Sequence, residues 1–105
     1  MDEWDEGSVS GDVIRFMWDY TLHVPLWDEE GKLPEEPEWL RRELGLSDGL
    51  IDGMAMWGHD MCELDGTEAA FDMETGRVMD ERARGLVERL RAELGSKWKV
   101  VYKPW

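Results

Sequence analysis

The sequence predicts a small α+β domain with the element order β-α-α-α-β. Three observations carry that expectation. Two short stretches, one beginning at Val13 and one at Trp98, are rich in the β-branched and aromatic residues that strands favour. Between them apolar residues recur at steps of three and four, the spacing of a helix face. The length, 105 residues of which 42% are hydrophobic, suffices for one core and not for two. Two strands alone form a marginal sheet. A two-stranded sheet made of the N- and C-terminal strands is therefore expected, covered by three helices.

Residues 1–12 are acidic and glycine- and serine-containing, with only Trp4 and Val9 as large apolar side chains after Met1. They are expected to form a flexible tail, leaving residues 13–105 as the single domain. In residues 13–20, Ile14, Phe16, Trp18 and Tyr20 share one face of a strand. Residues 21–37 hold three prolines and read as a long irregular connection. A first helix starts around Pro37, which suits the first helical position, and Gly45 ends it. Trp39, Leu40 and Leu44 would face the core. Ser47 is placed to cap a second helix over 48–64, whose stripe is Leu50, Met54, Trp57, Met61 and Leu64. Gly49, Gly53 and Gly58 weaken that helix, so packing must hold it. Residues 67–76 read as a loop. A third helix is expected from Arg77 or Asp80 to Leu94, with Val87, Leu90 and Leu94 inward and Gly95 beyond its end. A strand at 98–102 closes the fold. Trp18, Trp57, Leu90 and Val100 are the expected core.

The chain carries 25 acidic and 12 basic residues, a net charge of -13. This is the wrong sign for displacing counterions from nucleic acid or for docking on anionic lipid. The charge is also unevenly placed. Residues 1–65 contain 18 acidic and 4 basic residues, whereas residues 66–105 contain 7 and 8. Solubility does not require such asymmetry, and steering toward a basic partner uses it. No apolar run approaches the length of a membrane span. The acidic N-terminus does not read as a secretion signal, and the single cysteine, Cys62, excludes an internal disulfide framework. A cytoplasmic location is expected.

Catalytic patterns are missing. There is no nucleophile elbow, phosphate-binding glycine loop or calcium loop. Among so many carboxylates, any acid/base pair carries little information. His59, Cys62 and Glu63 are candidates for contacting a metal, because His and Cys three apart on a helix can reach one ion. They have no second pair of ligands elsewhere, so no metal site and no cofactor is expected. The unusual feature is seven tryptophans. Those at 18, 39, 57 and 98 fall on apolar faces of predicted elements. Trp27 instead lies in the long connection beside Asp28, Glu29 and Glu30, joining a candidate anchor to a negative rim. Together with Glu35 and Glu36 these residues are the expected partner surface. A structural lid over the sheet is the alternative use of Trp27.

The runs Pro25-Leu26-Trp27-Asp28, Leu33-Pro34, Trp39-Leu40-Arg41, Glu43-Leu44-Gly45-Leu46-Ser47 and Trp57-Gly58 resemble a group of short acidic bacterial proteins with no assigned function. The segments Arg91-Ala92-Glu93-Leu94-Gly95 and Val100-Val101-Tyr102 fit the same pattern. That resemblance implies a stand-alone bacterial domain and transfers no site. In being small, acidic and without a catalytic set, the chain is also similar to bacterial immunity proteins and nuclease inhibitors. The expected function is a non-catalytic interaction protein, an immunity protein or inhibitor that neutralises a basic toxin or nuclease by filling its cationic groove. The alternative is a small-molecule or metal-binding domain, with residues 21–37 and 57–63 lining a pocket.

Overall fold

The computed structural model describes residues 9, 11–19 and 23–103. Trp4, Tyr20 and Trp105 lie outside them, as does most of the expected tail at 1–12. The elements are β1 (Val13–Met17), β2 (Leu26–Trp27), α1 (Pro37–Leu44), α2 (Asp48–Leu64), a 3-10 turn (Glu68–Phe71), α3 (Met73–Leu94) and β3 (Lys99–Lys103). The α+β class and the three helices are as expected, but the sheet has three strands, in the order β2-β1-β3. β1 is central. It pairs antiparallel with β2, Arg15 opposite Trp27 and Phe16 opposite Leu26. It pairs parallel with β3, from Val13 opposite Lys99 to Met17 opposite Lys103. All three helices lie in the crossover between these parallel partners.

The third strand corrects the two-stranded expectation, and its brevity explains the omission. Two residues carry no period-2 signal, and Pro25 and Pro34 punctuate the segment around them. Hydrogen bonding makes the strand. Met17 N–H donates to the Pro25 carbonyl at 3.0 Å, and Leu33 N–H donates to the Leu26 carbonyl at 2.9 Å. Residues 24–35 thus form a hairpin rather than an irregular connection. β1 stops at Met17, short of residue 20, where β3 supplies its last partner. β3 itself begins at Lys99 rather than Trp98. α3 starts at Met73, one turn or more before the expected positions. The Asp72 carboxylate accepts from Thr75 N–H at 3.1 Å and from the Thr75 hydroxyl at 2.9 Å, so a cap overrides the breaker at Gly76.

Other local signals act as read. α2 spans 48–64 and the Ser47 side chain accepts from Leu50 N–H. The Glu93 carboxylate takes both the N–H and the hydroxyl of Ser47 at 2.7 Å, tying this cap to the end of α3. Gly45 closes α1 in the left-handed region, φ 69°, where a β-carbon would be strained.

Ile14, Phe16, Leu26, Leu50, Met54, Trp57, Ala83 and Leu90 are fully buried between sheet and helices. Trp57 sits at the centre. Its ring lies 5.2 Å from Phe16, and its indole N–H donates to the Met79 carbonyl on α3 at 2.9 Å. Val100 is buried as expected, while Trp18 is only half-buried and packs at the core's edge. Its β-face runs past the end of the paired strand, which leaves it at the margin. β3 is fastened to α3 by the Tyr102 hydroxyl, which donates to Asp80 at 2.6 Å. That bond and the neighbouring Arg84 guanidinium hold the Asp80 carboxyl below its ordinary range. Burial, then the same bond, push the Tyr102 hydroxyl up. α2 also meets the chain before β2 at very short range. A β-carbon at Gly58 would lie 1.9 Å from the His23 carbonyl oxygen.

Three stability measurements follow from this packing. Trp57→Ala should lose about 3–5 kcal/mol in a urea melt, as for emptying a buried aromatic site; a loss under about 1 kcal/mol contradicts its central place. Gly58→Ala should destabilise by about 2 kcal/mol, because backbone must move. Gly85→Ala, where the β-carbon would meet nothing within 4 Å, should instead gain up to ~1 kcal/mol from helix propensity. A gain at Gly58 like that expected at Gly85 would refute the close approach. Tyr102→Phe should lose roughly 1 kcal/mol at neutral pH. A carboxyl with a lowered folded-state value stabilises above its unfolded value near ~4 and loses that contribution as pH falls through the lowered one. The gap between parent and Tyr102→Phe should therefore narrow in acid, and again above pH ~10, where the unfolded tyrosine ionises while the folded hydroxyl, pushed up, does not; a gap that narrows already at neutral pH assigns it to another group.

Candidate partner-docking surface

The hairpin separates the six residues expected to form a partner surface. Its turn is built by Asp28, which is only 7% exposed. The Asp28 Oδ1 accepts from Glu30 N–H at 2.8 Å and Gly31 N–H at 3.0 Å, an Asx-type turn. The Arg15 guanidinium braces it by donating to the Asp28 carbonyl at 2.7 Å. Trp27 is half-buried in β2, and its indole N–H donates to the Met17 carbonyl at 2.8 Å. Trp27 and Asp28 therefore hold the hairpin itself. Glu29 and Glu30 stand exposed at its tip. Glu35 lies at the other end, where its Oε1 accepts from His23 N–H at 2.9 Å and Val24 N–H at 3.2 Å. At ~3.3 Å per residue the tip and Glu35 are roughly 15 Å apart. Glu36 is exposed just before α1 and makes no side-chain cap bond.

The structure brings Glu35 to a different set of residues, on α2. Asp48, Asp52, Met56, His59 and Glu63 follow one another at steps of four, four, three and four, and all are exposed. They form the outward face opposite the buried stripe. α2 contains no lysine or arginine. Because the chain at His23 rests directly on Gly58, an open groove of about 740 Å³ is left above the helix. Its walls are His23, Val24 and Glu35 on one side and Asp52, Ala55, Met56 and His59 on the other. The two imidazole rings stack with centroids 5.9 Å apart. Met56 is 61% exposed. Of the 57–63 region only His59 lines this groove; the rest of the α2 side is Asp52, Ala55 and Met56. Asp52 and Met56 were not singled out from the sequence, although their spacing with Asp48, His59 and Glu63 marks one helix face.

His59 lies 3.8 Å from Glu63, and Cys62 is half-buried. Among the described residues no group of three or more His, Cys, Asp or Glu is placed to hold an ion.

Charge pairing differs sharply between elements. On α3, Arg77 pairs with both Glu74 and Glu81, Arg84 with Asp80 and Arg91 with Glu88. Elsewhere Asp48 pairs with Arg41 and Asp60 with Arg82. Among the described residues, Glu29, Glu30, Glu36, Glu38 and Asp52 have no basic partner. Acids without a basic partner thus stand on the hairpin, the start of α1 and the outer face of α2, and also at Asp65, Glu68 and Asp72 between α2 and α3. No helix among the described residues is long and apolar enough to cross a membrane.

A family model described as Serratia CdiI immunity protein-like matches residues 12–105. Comparison with curated proteins returns no match. CdiI immunity proteins are non-catalytic; they bind cognate CdiA toxin domains and neutralise contact-dependent inhibition toxins, often nucleases. A match spanning every element of the domain, from β1 to β3, shows that the chain belongs to the Serratia CdiI immunity protein-like family.

Proposed function

We propose that this immunity protein holds its cognate CdiA toxin domain by laying its unpaired carboxylates against a cationic toxin surface. The observation that carries this reading is the contrast in pairing. On α3 four of the five acids are neutralised within one turn, Glu93 being taken by Ser47 instead, while Glu29, Glu30, Glu36, Glu38 and Asp52 are left without cations. Exposed pairs add little stability, so the consequence of the arrangement is electrostatic. The field is cancelled on one part of the surface and kept on another. A kept negative field accelerates encounter with a basic partner and repels nucleic acid. If the toxin is a nuclease, its cationic groove is where phosphates would lie, and occupancy by carboxylates blocks it without chemistry on the immunity protein. Residues 13–105 are the binding unit in this reading, with the acidic residues of 1–12 adding to the field. It places the protein in the cytoplasm, a reducing compartment that suits its single cysteine, Cys62.

Association of the purified chain with its cognate CdiA toxin domain tests this by stopped flow across a salt series. Replacing Glu29, Glu30 and Asp52 together by lysine should slow association by ~10-fold or more at low salt and flatten its salt dependence. Glu88→Gln, which removes a carboxylate already paired on α3, should change the rate by no more than about twofold, since the paired charge contributes little outward field. An association rate indifferent to salt in the parent overturns the reading.

A further inference from the structure

We propose that the groove between residues 23–35 and α2 seats one arginine side chain of the toxin domain, an inference that rests on the docking surface above. The groove offers two chemistries side by side. Val24, Ala55 and the exposed thioether of Met56 make an apolar strip. Asp52 and Glu35 bring carboxylates from opposite walls. Met56 does not serve the core: Leu50, Ile51, Met54, Trp57 and Met61 on the same helix are all buried, and Met56 alone among the large apolar side chains of α2 is exposed. Asp52 lies one turn before it and has no basic partner. Glu35 is held in place by two backbone N–H groups on a single oxygen, which leaves its other oxygen to accept. The stacked rings of His23 and His59 add flat surface at the rim.

An arginine matches each of these features. Its stem lies along methionine and alanine, its planar head stacks on an imidazole, and its five N–H donors fork toward two carboxylates. A lysine offers a point charge and uses neither the flat rings nor a two-sided pair of acceptors. The groove is also set before binding. The Gly58 approach fixes its floor and Glu35 is already bonded, so little is lost on ordering the immunity protein's side.

Binding of the cognate CdiA toxin domain to the full chain, by surface plasmon resonance at low and high salt, tests the assignment. Met56→Ala and Asp52→Asn should each raise Kd by about tenfold, mostly through faster dissociation, as for contacts at a buried anchor. Met56 is exposed, so both variants should melt with the parent. Glu29→Gln with Glu30→Gln, at the hairpin tip, should slow association and leave dissociation unchanged. Changing the toxin's surface arginines singly to lysine should reveal one whose effect is lost in the Met56→Ala and Asp52→Asn backgrounds, the coupling expected of contacting residues. Parental dissociation rates for both groove variants, or no such coupled arginine, overturn the seat while a retained salt dependence leaves the acidic surface standing. Salt-independent association in the parent overturns the acidic surface itself.

Discussion

At Gly58 the carbonyl oxygen of His23 occupies the place where a β-carbon would be, 1.9 Å from it. Only a residue without that carbon lets the chain lie so close to α2. Much of the molecule's outer geometry depends on this approach. It brings His23 and Val24 onto the helix, where Glu35 can accept from both their N–H groups. It sets the direction in which Pro25 reaches Met17 and Leu26 joins β1. It also leaves the outward residues of α2 facing Glu35 across a groove. Directly inside the same point, Trp57 packs on Phe16 and bonds to Met79. A helix weakened by its glycines is thus held by sheet and α3 from within and by the hairpin from outside.

The same helix carries the sharpest electrostatic conflict. Asp48 suits the positive N-terminal end of α2, but Glu63 lies near its C-terminal end, where a negative charge is unfavourable. No lysine or arginine on the helix offsets it. Arg41 and Arg82 compensate from α1 and α3 at Asp48 and Asp60, and neither reaches Asp52. α3 shows the opposite treatment, with arginines three or four residues from four of its five acids. Two neighbouring helices in one small domain therefore treat charge in opposite ways. Packing must supply what α2 loses by it, and the burial of Leu50, Met54 and Trp57 is where it does.

Strong local signals were legible in the sequence. The steps of three and four in α2, with Ser47 before it, place that helix correctly at both ends, and Gly45 marks the end of α1. β2 was not legible, because two residues between prolines become a strand only through partners on β1 and residues 32–33. The start of α3 was hidden by Gly76, since a side-chain cap at Asp72 outweighs one glycine in the first turn. The candidate site divides in the same manner. The acidity of residues 1–65 is a property of composition and could be read directly. The groove could not, because it exists only through the approach at Gly58, and a glycine within a helical pattern reads first as a weakness. Trp27 looked like a free anchor for a similar reason. Its indole N–H is spent on Met17, a contact that needs the unseen β2.

A surface of unpaired carboxylates attracts every cationic protein to some extent, so it cannot by itself distinguish a cognate toxin from another basic partner. Distinction needs a place where a wrong partner leaves polar groups buried and unsatisfied. On this molecule the hairpin tip is poorly suited to that task, because Glu29 and Glu30 are exposed and remain hydrated whether or not a partner matches them. The groove differs. Glu35 is held at a set position, Asp52 faces it from a packed helix, and Met56 gives up exposed apolar surface only when something of the right length covers it. In the proposed reading, a partner lacking that side chain would cover Asp52 and the second oxygen of Glu35 without giving either a donor. On that same reading, steering by the open acids and discrimination at the groove are two tasks of one surface, the first centred on the tip of the hairpin and the second at its base, with Asp52 serving both.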